Sequence, residues 1–68
     1  MENKVKDLRE SQGFSQGRLG ELVGVSRQTI NSLEKGRYNP SIELAFKLSK
    51  IFKKSIEEIF IYEEGKNE

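Results

Sequence analysis

Apolar positions along this chain recur at helical spacing and are separated by short polar turns. Residues 14–19 (FSQGRL) and residues 25–30 (VSRQTI) share one arrangement, in which an apolar residue, a serine and a second apolar residue four positions later follow one another. A serine at that place caps a helix start, and the two apolar side chains close over it as a hydrophobic staple. Between the segments, Gly24 can take the left-handed conformation that ends a helix. The sequence predicts helix, tight turn, helix over residues 15–35.

Three further helices are predicted around this pair. They are a first helix capped by Asn3 and running to about Gln12, a fourth over residues 42–52 after Ser41, and a fifth over residues 56–60 after the capping box of Ser55 and Glu58. We therefore expect an all-α, compact five-helix domain over residues 1–60. A short tail, residues 61–68, follows it, with Ile61 and Tyr62 as a candidate strand and a disordered acidic end.

The fourth predicted helix is apolar around roughly 220° of its circumference. One side of a small domain cannot cover that much surface. Either this helix lies centrally among the others, or part of it meets another protomer. Both alternatives are open at this point.

The predicted helix over residues 27–35 has one apolar and one polar side. At 100° per residue, its inward arc holds Ile30, Leu33 and Glu34, and its opposite arc holds Gln28, Asn31, Ser32 and Lys35. Glutamine can pair bidentately with adenine, and Arg27 in the first turn can pair with guanine. This inventory is typical of a helix that reads the DNA major groove. The alternative is that this polar side is only a solvated face, because every surface helix has one.

Residues 5–52 resemble the phage Cro and repressor type of helix-turn-helix domain, also called the XRE family. The resemblance is carried by Leu8-Arg9, Ser15-Gln16, Leu19, Gly24-Val25-Ser26, Arg27-Gln28-Thr29-Ile30, Glu34, Gly36 and Asn39-Pro40. The short tail is similar to that of small regulators such as the cytolysin repressors. Two glycines, Gly17 and Gly20, depart from the family pattern and are expected to weaken the second helix locally.

This resemblance implies a lambda-repressor-like fold and a role for each matching residue. The residues expected to read base edges are Arg27, Gln28, Asn31 and Ser32. The residues expected to bind DNA phosphates are Gln16, Thr29, Lys35, Arg37, Tyr38 and Asn39. It also implies an ion pair between Arg9 and Glu34, which the inward positions of both side chains favour independently. The alternative for that pair is that both charged groups extend to water.

Composition limits the remaining possibilities. The 68 residues include no cysteine and no histidine, so we expect no metal site and no cofactor, and acid-base or thiol catalysis is disfavoured. Residues 1–54 hold 11 basic and 6 acidic side chains, whereas residues 55–68 hold 1 basic and 5 acidic ones. The basic surplus therefore belongs to the helical domain and favours a nucleic-acid partner. No targeting segment is visible, so a cytoplasmic, non-membrane protein is expected.

A dense apolar group lies close to the C-terminus. It consists of Ile59, Phe60, Ile61 and Tyr62. A domain of fewer than about 70 to 80 residues has a small core and often gains stability by association. We expect these four residues to form a homodimer contact, with completion of the monomer core as the alternative.

Together these features predict a sequence-specific double-stranded DNA-binding regulator, a homodimeric repressor of an inverted-repeat operator that inserts one helix of each protomer into the major groove. The rival hypothesis is a protein-interaction module, such as an antitoxin that binds a partner protein through the apolar tail.

Overall fold

The computed structural model describes residues 1–62, and these residues form five α-helices. The helices are α1 (Val5–Ser11), α2 (Gln16–Val23), α3 (Arg27–Glu34), α4 (Ile42–Phe52) and α5 (Ile56–Ile59). Four of them begin after a serine whose hydroxyl oxygen accepts a hydrogen bond from the backbone amide three residues later. The predicted all-α fold is confirmed, and α4 has the predicted bounds. The capping box of α5 is also present, although this helix ends one residue earlier than expected.

The start of α1 differs from the prediction. Its N-cap is Lys4 instead of Asn3. The reason is tertiary, because Asn3 forms an isolated antiparallel bridge with Phe60 and is held in that pairing. The Asn3 side chain still serves the helix start, since its Oδ1 atom accepts a hydrogen bond from the Val5 amide at 3.0 Å.

One apolar core unites the helices, with α2 packed against α3 and α4, α1 against α3, and α4 against α5. Its buried apolar residues are Val5, Leu19, Val23, Ile30, Leu33, Leu44, Ala45, Leu48, Phe52, Ile59 and Phe60. Ile59 and Phe60 are thus part of the protomer's own interior, at 0% and 7% exposure. Their predicted role in a homodimer contact is wrong, because neither has surface left for a partner, and for these two residues the core alternative holds.

The segment that follows α5 pairs with the N-terminal segment of the same chain. The Lys4 amide donates to the Ile59 carbonyl at 2.8 Å, and the Ile61 amide donates to the Glu2 carbonyl at 2.9 Å. Tyr62 is 69% exposed. The contact predicted for Ile61 and Tyr62 remains a prediction, and the acidic end, residues 63–68, lies outside the described residues.

Helix α4 fits both alternatives left open by its wide apolar arc. Leu44, Leu48 and Phe52 are buried in the core, so the helix is central to the domain. Ile42 and Phe46, in contrast, face away from the core and are 74% and 55% exposed. The outer side of α4 therefore carries apolar surface that no described residue covers.

Candidate nucleic-acid interface

The turn between α2 and α3 lies between two caps, Gly24 at the end of α2 and Ser26 at the start of α3. Gly24 ends α2 in the left-handed conformation with φ 79°, as predicted. Ser26 then starts α3, and its Oγ accepts from the Thr29 amide at 3.1 Å. Only two residues, Val25 and Ser26, separate this glycine from the first residue of α3. A turn that short restricts the angle between the two helices. The orientation of α3 relative to α2 is therefore defined.

Gly20 explains why the two helices can cross so closely. A Cβ atom at this position would lie 2.6 Å from the Val25 carbonyl oxygen, which is shorter than side-chain carbons tolerate. The same Gly20 supplies the carbonyl that accepts the Val25 amide at 2.9 Å. At Gly17, one helical turn earlier, a Cβ atom would meet no heavy atom within 4 Å, and nothing in the structure explains this glycine.

The exposed side of α3 presents hydrogen-bonding groups and no apolar ones. Ile30 and Leu33 are fully buried. The polar residues of the opposite side, together with one residue of α2, line an open concave surface that encloses about 550 Å³. The lining residues are Gln16, Arg27, Gln28, Asn31 and Ser32. The four predicted base-reading residues therefore lie together. An α-helix with its side chains is about 10 to 12 Å in diameter, which fits a major groove about 12 Å wide.

Gln16 joins this surface to the interior. Its Nε2 atom donates to Glu34 Oε1 at 3.0 Å. An amide nitrogen carries two N–H groups and the amide oxygen is a further acceptor. One N–H of Gln16 therefore remains as a donor for an acceptor such as a phosphate oxygen, and the amide oxygen remains as an acceptor for a donor side chain nearby.

Behind the concave surface, a buried ion pair ties α1 to α3. Arg9 Nε donates to Glu34 Oε2 at 2.6 Å, and the two side chains are only 10% and 4% exposed. Arg9 also donates from Nη1 to the Phe14 carbonyl at 2.9 Å. The hydrogen bond to Glu34 raises the pKa of Arg9 above its ordinary value, so the guanidinium stays charged. The alternative in which both groups extend to water does not apply in this structure.

The charge of Glu34 is therefore turned inward. It is the single acidic residue of α3, and pairing with Arg9 keeps it from presenting negative charge to a phosphate backbone. Within residues 1–62, Arg27, Lys35 and Arg37 make no ion pair with an acidic side chain. Arg27 is the first residue of α3, and Lys35 and Arg37 follow its last residue.

The remaining predicted phosphate contacts occupy two places. Thr29 is half-buried, and its hydroxyl is within 3.0 Å of the Ser26 hydroxyl, so it braces the start of α3. Arg37, Tyr38 and Asn39 are exposed in the loop after α3. The loop leaves the helix through Gly36, whose φ is 75°, and the Arg37 amide donates to the Ser32 carbonyl at 3.1 Å.

Asn3 is a positioning residue, although its sequence context predicts only a cap for α1. Its Nδ2 atom donates to the Leu33 carbonyl at 2.8 Å, near the end of α3, and to the Met1 carbonyl at 3.0 Å. The N-terminal segment thus anchors the end of the exposed helix. No local pattern signals this role, because Leu33 is thirty positions away in sequence.

Residues 1–62 offer neither a metal site nor a membrane span. No cluster of three or more His, Cys, Asp or Glu side chains is arranged to hold a metal ion in this part of the chain. None of the described helices is long and apolar enough to cross a bilayer.

Two capped helices crossed over a glycine turn, with a hydrogen-bonding face exposed on the second, define a helix-turn-helix domain. Residues 5–59 match the model of the helix-turn-helix family. The chain belongs to this family, in its XRE branch, and is a transcriptional regulator with a helix-turn-helix DNA-binding domain. Members of this family bind double-stranded DNA and are not enzymes.

Relatives and solved structures agree with this assignment. The chain is 53% identical over 64 residues to the HTH-type transcriptional regulator YgzD of Bacillus subtilis (strain 168), covering 94% of this chain and 97% of YgzD. It is 52% identical over 64 residues to the HTH-type transcriptional regulator MJ0272 of Methanocaldococcus jannaschii, with the same coverage. The restriction-modification controller protein C.AhdI from Aeromonas hydrophila has a TM-score of 0.75 at 30% identity, covering 84% of this chain and 86% of C.AhdI. The N-terminal DNA-binding domain of SinR from Bacillus subtilis has a TM-score of 0.74 at 28% identity, covering 93% and 91%.

Proposed function

We propose that this regulator is a sequence-specific repressor that binds an inverted-repeat operator as a homodimer. The observation that carries the proposal is the concave surface on α3, where Arg27, Gln28, Asn31 and Ser32 lie beside Gln16. These side chains can hydrogen-bond to base edges in the major groove. The buried Arg9–Glu34 pair behind them fixes the helix against α1.

The dimer follows from the number of bases that one helix can read. A single eight-residue helix reaches only a few base pairs, which is too few for useful selectivity in a genome. Two copies related by a two-fold axis double the contacts and require an inverted repeat, with half-sites about 34 Å apart. Repression would then result from occlusion of polymerase at the operator.

Phosphate contacts complete the proposed complex. Arg37, Tyr38 and Asn39 are exposed in the loop directly after α3, where they can bind the backbone beside the groove. Gln16 and Thr29 lie at the start of the two helices, and Lys35 is exposed at the end of α3. These contacts fix the register of the domain without reading sequence.

Two substitutions separate base reading from phosphate binding. Gln28→Ala is expected to reduce discrimination at one base-pair position of each half-site by roughly 1 to 3 kcal/mol. Arg37→Ala is expected to weaken binding to all sequences alike and to reduce the slope of log K against log salt by about 2, because one phosphate contact is lost from each protomer. The measurement is fluorescence anisotropy with a selected operator and its single-base variants at several salt concentrations.

Lys54→Ala is the control for charge alone. Lys54 lies beside Leu8 and Ile61 and does not line the concave surface. Lys54→Ala removes one positive charge, as Arg37→Ala does, and we expect it to change the salt slope less than Arg37→Ala does. If Gln28→Ala instead weakened binding uniformly across all operator variants, Gln28 would not be a base-reading residue.

A further inference from the structure

Among the helices of the described residues, α4 is the one with large apolar side chains exposed to solvent. Ile42 and Phe46 are one helical turn apart, so their side chains are neighbours on the same face. They are 74% and 55% exposed. Single exposed apolar residues are common on protein surfaces, but an adjacent pair on a regular helix is a contiguous patch.

Charged residues border this patch, with an acidic residue near the N-terminal end of α4 and a basic residue near its C-terminal end. Glu43 lies in the first turn of α4, and Lys50 lies in its last turn. At 100° per residue, Lys50 falls roughly 20° from Glu43, on the same flank of the Ile42–Phe46 stripe. Within residues 1–62, the ion pair of Glu43 is with Lys47 at 3.5 Å, and both side chains are exposed. An exposed pair of this kind is weak, so Glu43 is free to exchange its partner at little cost.

We propose that this face of α4 packs against the same face of a second copy of the chain, with the two helices antiparallel about a two-fold axis near Phe46. In that arrangement the Glu43 carboxylate of each protomer lies opposite Lys50 of the other, so two equivalent ion pairs flank an apolar centre. An isologous interface requires such self-complementarity, because the same patch serves both protomers. Antiparallel packing also opposes the two helix dipoles favourably.

The patch is small, which determines how strong the association is. An eleven-residue helix is ~16 Å long, and a stable interface buries about 800 Å² on each partner. The outer side of α4 supplies well under that area. The dimer is therefore weak in free solution and forms at high protein concentration. This inference rests on the proposed dimeric function and deepens it by locating the interface, which differs from the one expected at Ile61 and Tyr62.

The first test is sedimentation equilibrium without DNA, at protein concentrations up to ~500 µM. The native chain is expected to form a reversible dimer. Phe46→Ala is expected to raise the dissociation constant at least about tenfold, because the side chain is removed from both protomers at the centre. Tyr62→Ala is the matched control, since Tyr62 is another exposed aromatic residue, and it is expected to leave the constant unchanged.

Charge reversal makes the test specific for a second copy. Glu43→Lys and Lys50→Glu each place like charges opposite one another twice, and each is expected to raise the dissociation constant roughly tenfold. Mixing the two single variants restores both ion pairs, so the mixture is expected to form a heterodimer of native affinity. The double variant is expected to recover the homodimer. Glu57→Lys, at an exposed position of α5, controls for charge alone.

Each outcome decides the assignment. A dimer that responds to Phe46 and to the charge swap, and not to Tyr62, supports it. A chain that stays monomeric at all concentrations overturns it, as does a dimer that depends on Tyr62 and is indifferent to Glu43 and Lys50. Monomers that use this face only for a different protein overturn it as well. Because DNA is absent, these results stand apart from success or failure of operator binding, and circular dichroism of each variant verifies that the exposed substitutions leave the fold intact.

Discussion

Removal of either member of the Arg9–Glu34 pair is expected to come close to unfolding the domain. The two side chains are 10% and 4% exposed, and Arg9 Nε lies 2.6 Å from Glu34 Oε2. Arg9→Met leaves the Glu34 carboxylate buried with Gln16 as its remaining partner. Glu34→Gln leaves the buried guanidinium with the exposed Glu10 carboxylate, 3.8 Å away, as its nearest counter-charge. Each change therefore leaves a buried charge that is poorly compensated in a site with little access to water.

The magnitudes decide the outcome. Breaking a buried ion pair by removing one partner costs about 3 to 5 kcal/mol. A single core in a domain of this size supplies only ~3 to 5 kcal/mol in total. Each single variant is thus expected to be marginal or unfolded in buffer. The double variant, Arg9→Met with Glu34→Gln, has no buried charge and loses chiefly the hydrogen bond to the Phe14 carbonyl, worth about 1 kcal/mol.

The assay is urea-induced unfolding followed by far-ultraviolet circular dichroism, in a fixed concentration of trimethylamine N-oxide that keeps the weak variants folded. We expect the double-mutant cycle to give a coupling of at least about 2 kcal/mol. The control cycle uses Arg18→Met and Glu21→Gln, an ion pair of 3.1 Å whose side chains are 60% and 72% exposed, where coupling below ~0.5 kcal/mol is expected. Additive losses at Arg9 and Glu34 would refute the reasoning.

Two further predictions concern stability. Gly17→Ala is expected to stabilise the domain by roughly 0.5 to 1 kcal/mol, because α2 has open space there, whereas Gly20→Ala is expected to destabilise it by about 1 to 3 kcal/mol, because its Cβ would lie against the Val25 carbonyl. Urea unfolding of both measures this, and equal effects would contradict the packing argument. The pKa of Glu58 is lowered by the backbone and side chain of Ser55, so the contribution of its carboxylate to stability is complete above the ordinary value of 4.5 and is lost as the pH falls through the lower folded value. Glu58→Gln should flatten the loss of stability as the pH falls below 4.5, and an unchanged profile would exclude this role.

The parts of the fold that the sequence predicts are those determined by local chemistry. Ser15, Ser26, Ser41 and Ser55 each stand directly before an apolar period, and each caps a helix in the structure. The left-handed Gly24 was equally accessible, because few other residues adopt that conformation at low cost. Caps and helix ends depend on contacts within four residues, so a pattern along the chain contains the necessary information.

Features that depend on distant partners were less accessible. Phe60 is buried in the core, and its backbone forms a bridge with Asn3, which lies near the opposite end of the chain. The apolar character of Phe60 alone does not distinguish a core position from a surface for association. Phe46 is the same residue type in a similarly apolar segment, yet it is exposed. Only the packing of α4 and α5 separates these two phenylalanines.

The candidate DNA surface was predicted more fully than the tail, for a physical reason. The residues predicted to read bases occupy one face of one helix, so helical periodicity groups them. Arg9 and Glu34 were identifiable as a pair because charged residues on two inward faces need partners. The bond between Gln16 and Glu34, in contrast, depends on how α2 and α3 cross, and it is visible only in three dimensions.

Selection of bound sequences from random duplex DNA tests the central claim most directly, namely that α3 reads bases in the major groove. We predict that the native chain enriches one inverted-repeat motif with half-sites about 34 Å apart, and that Gln28→Ala relaxes the preference at one symmetric pair of positions while the rest of the motif persists. Recovery of unrelated sequences, or of a motif that Gln28→Ala leaves unchanged at every position, would contradict the account.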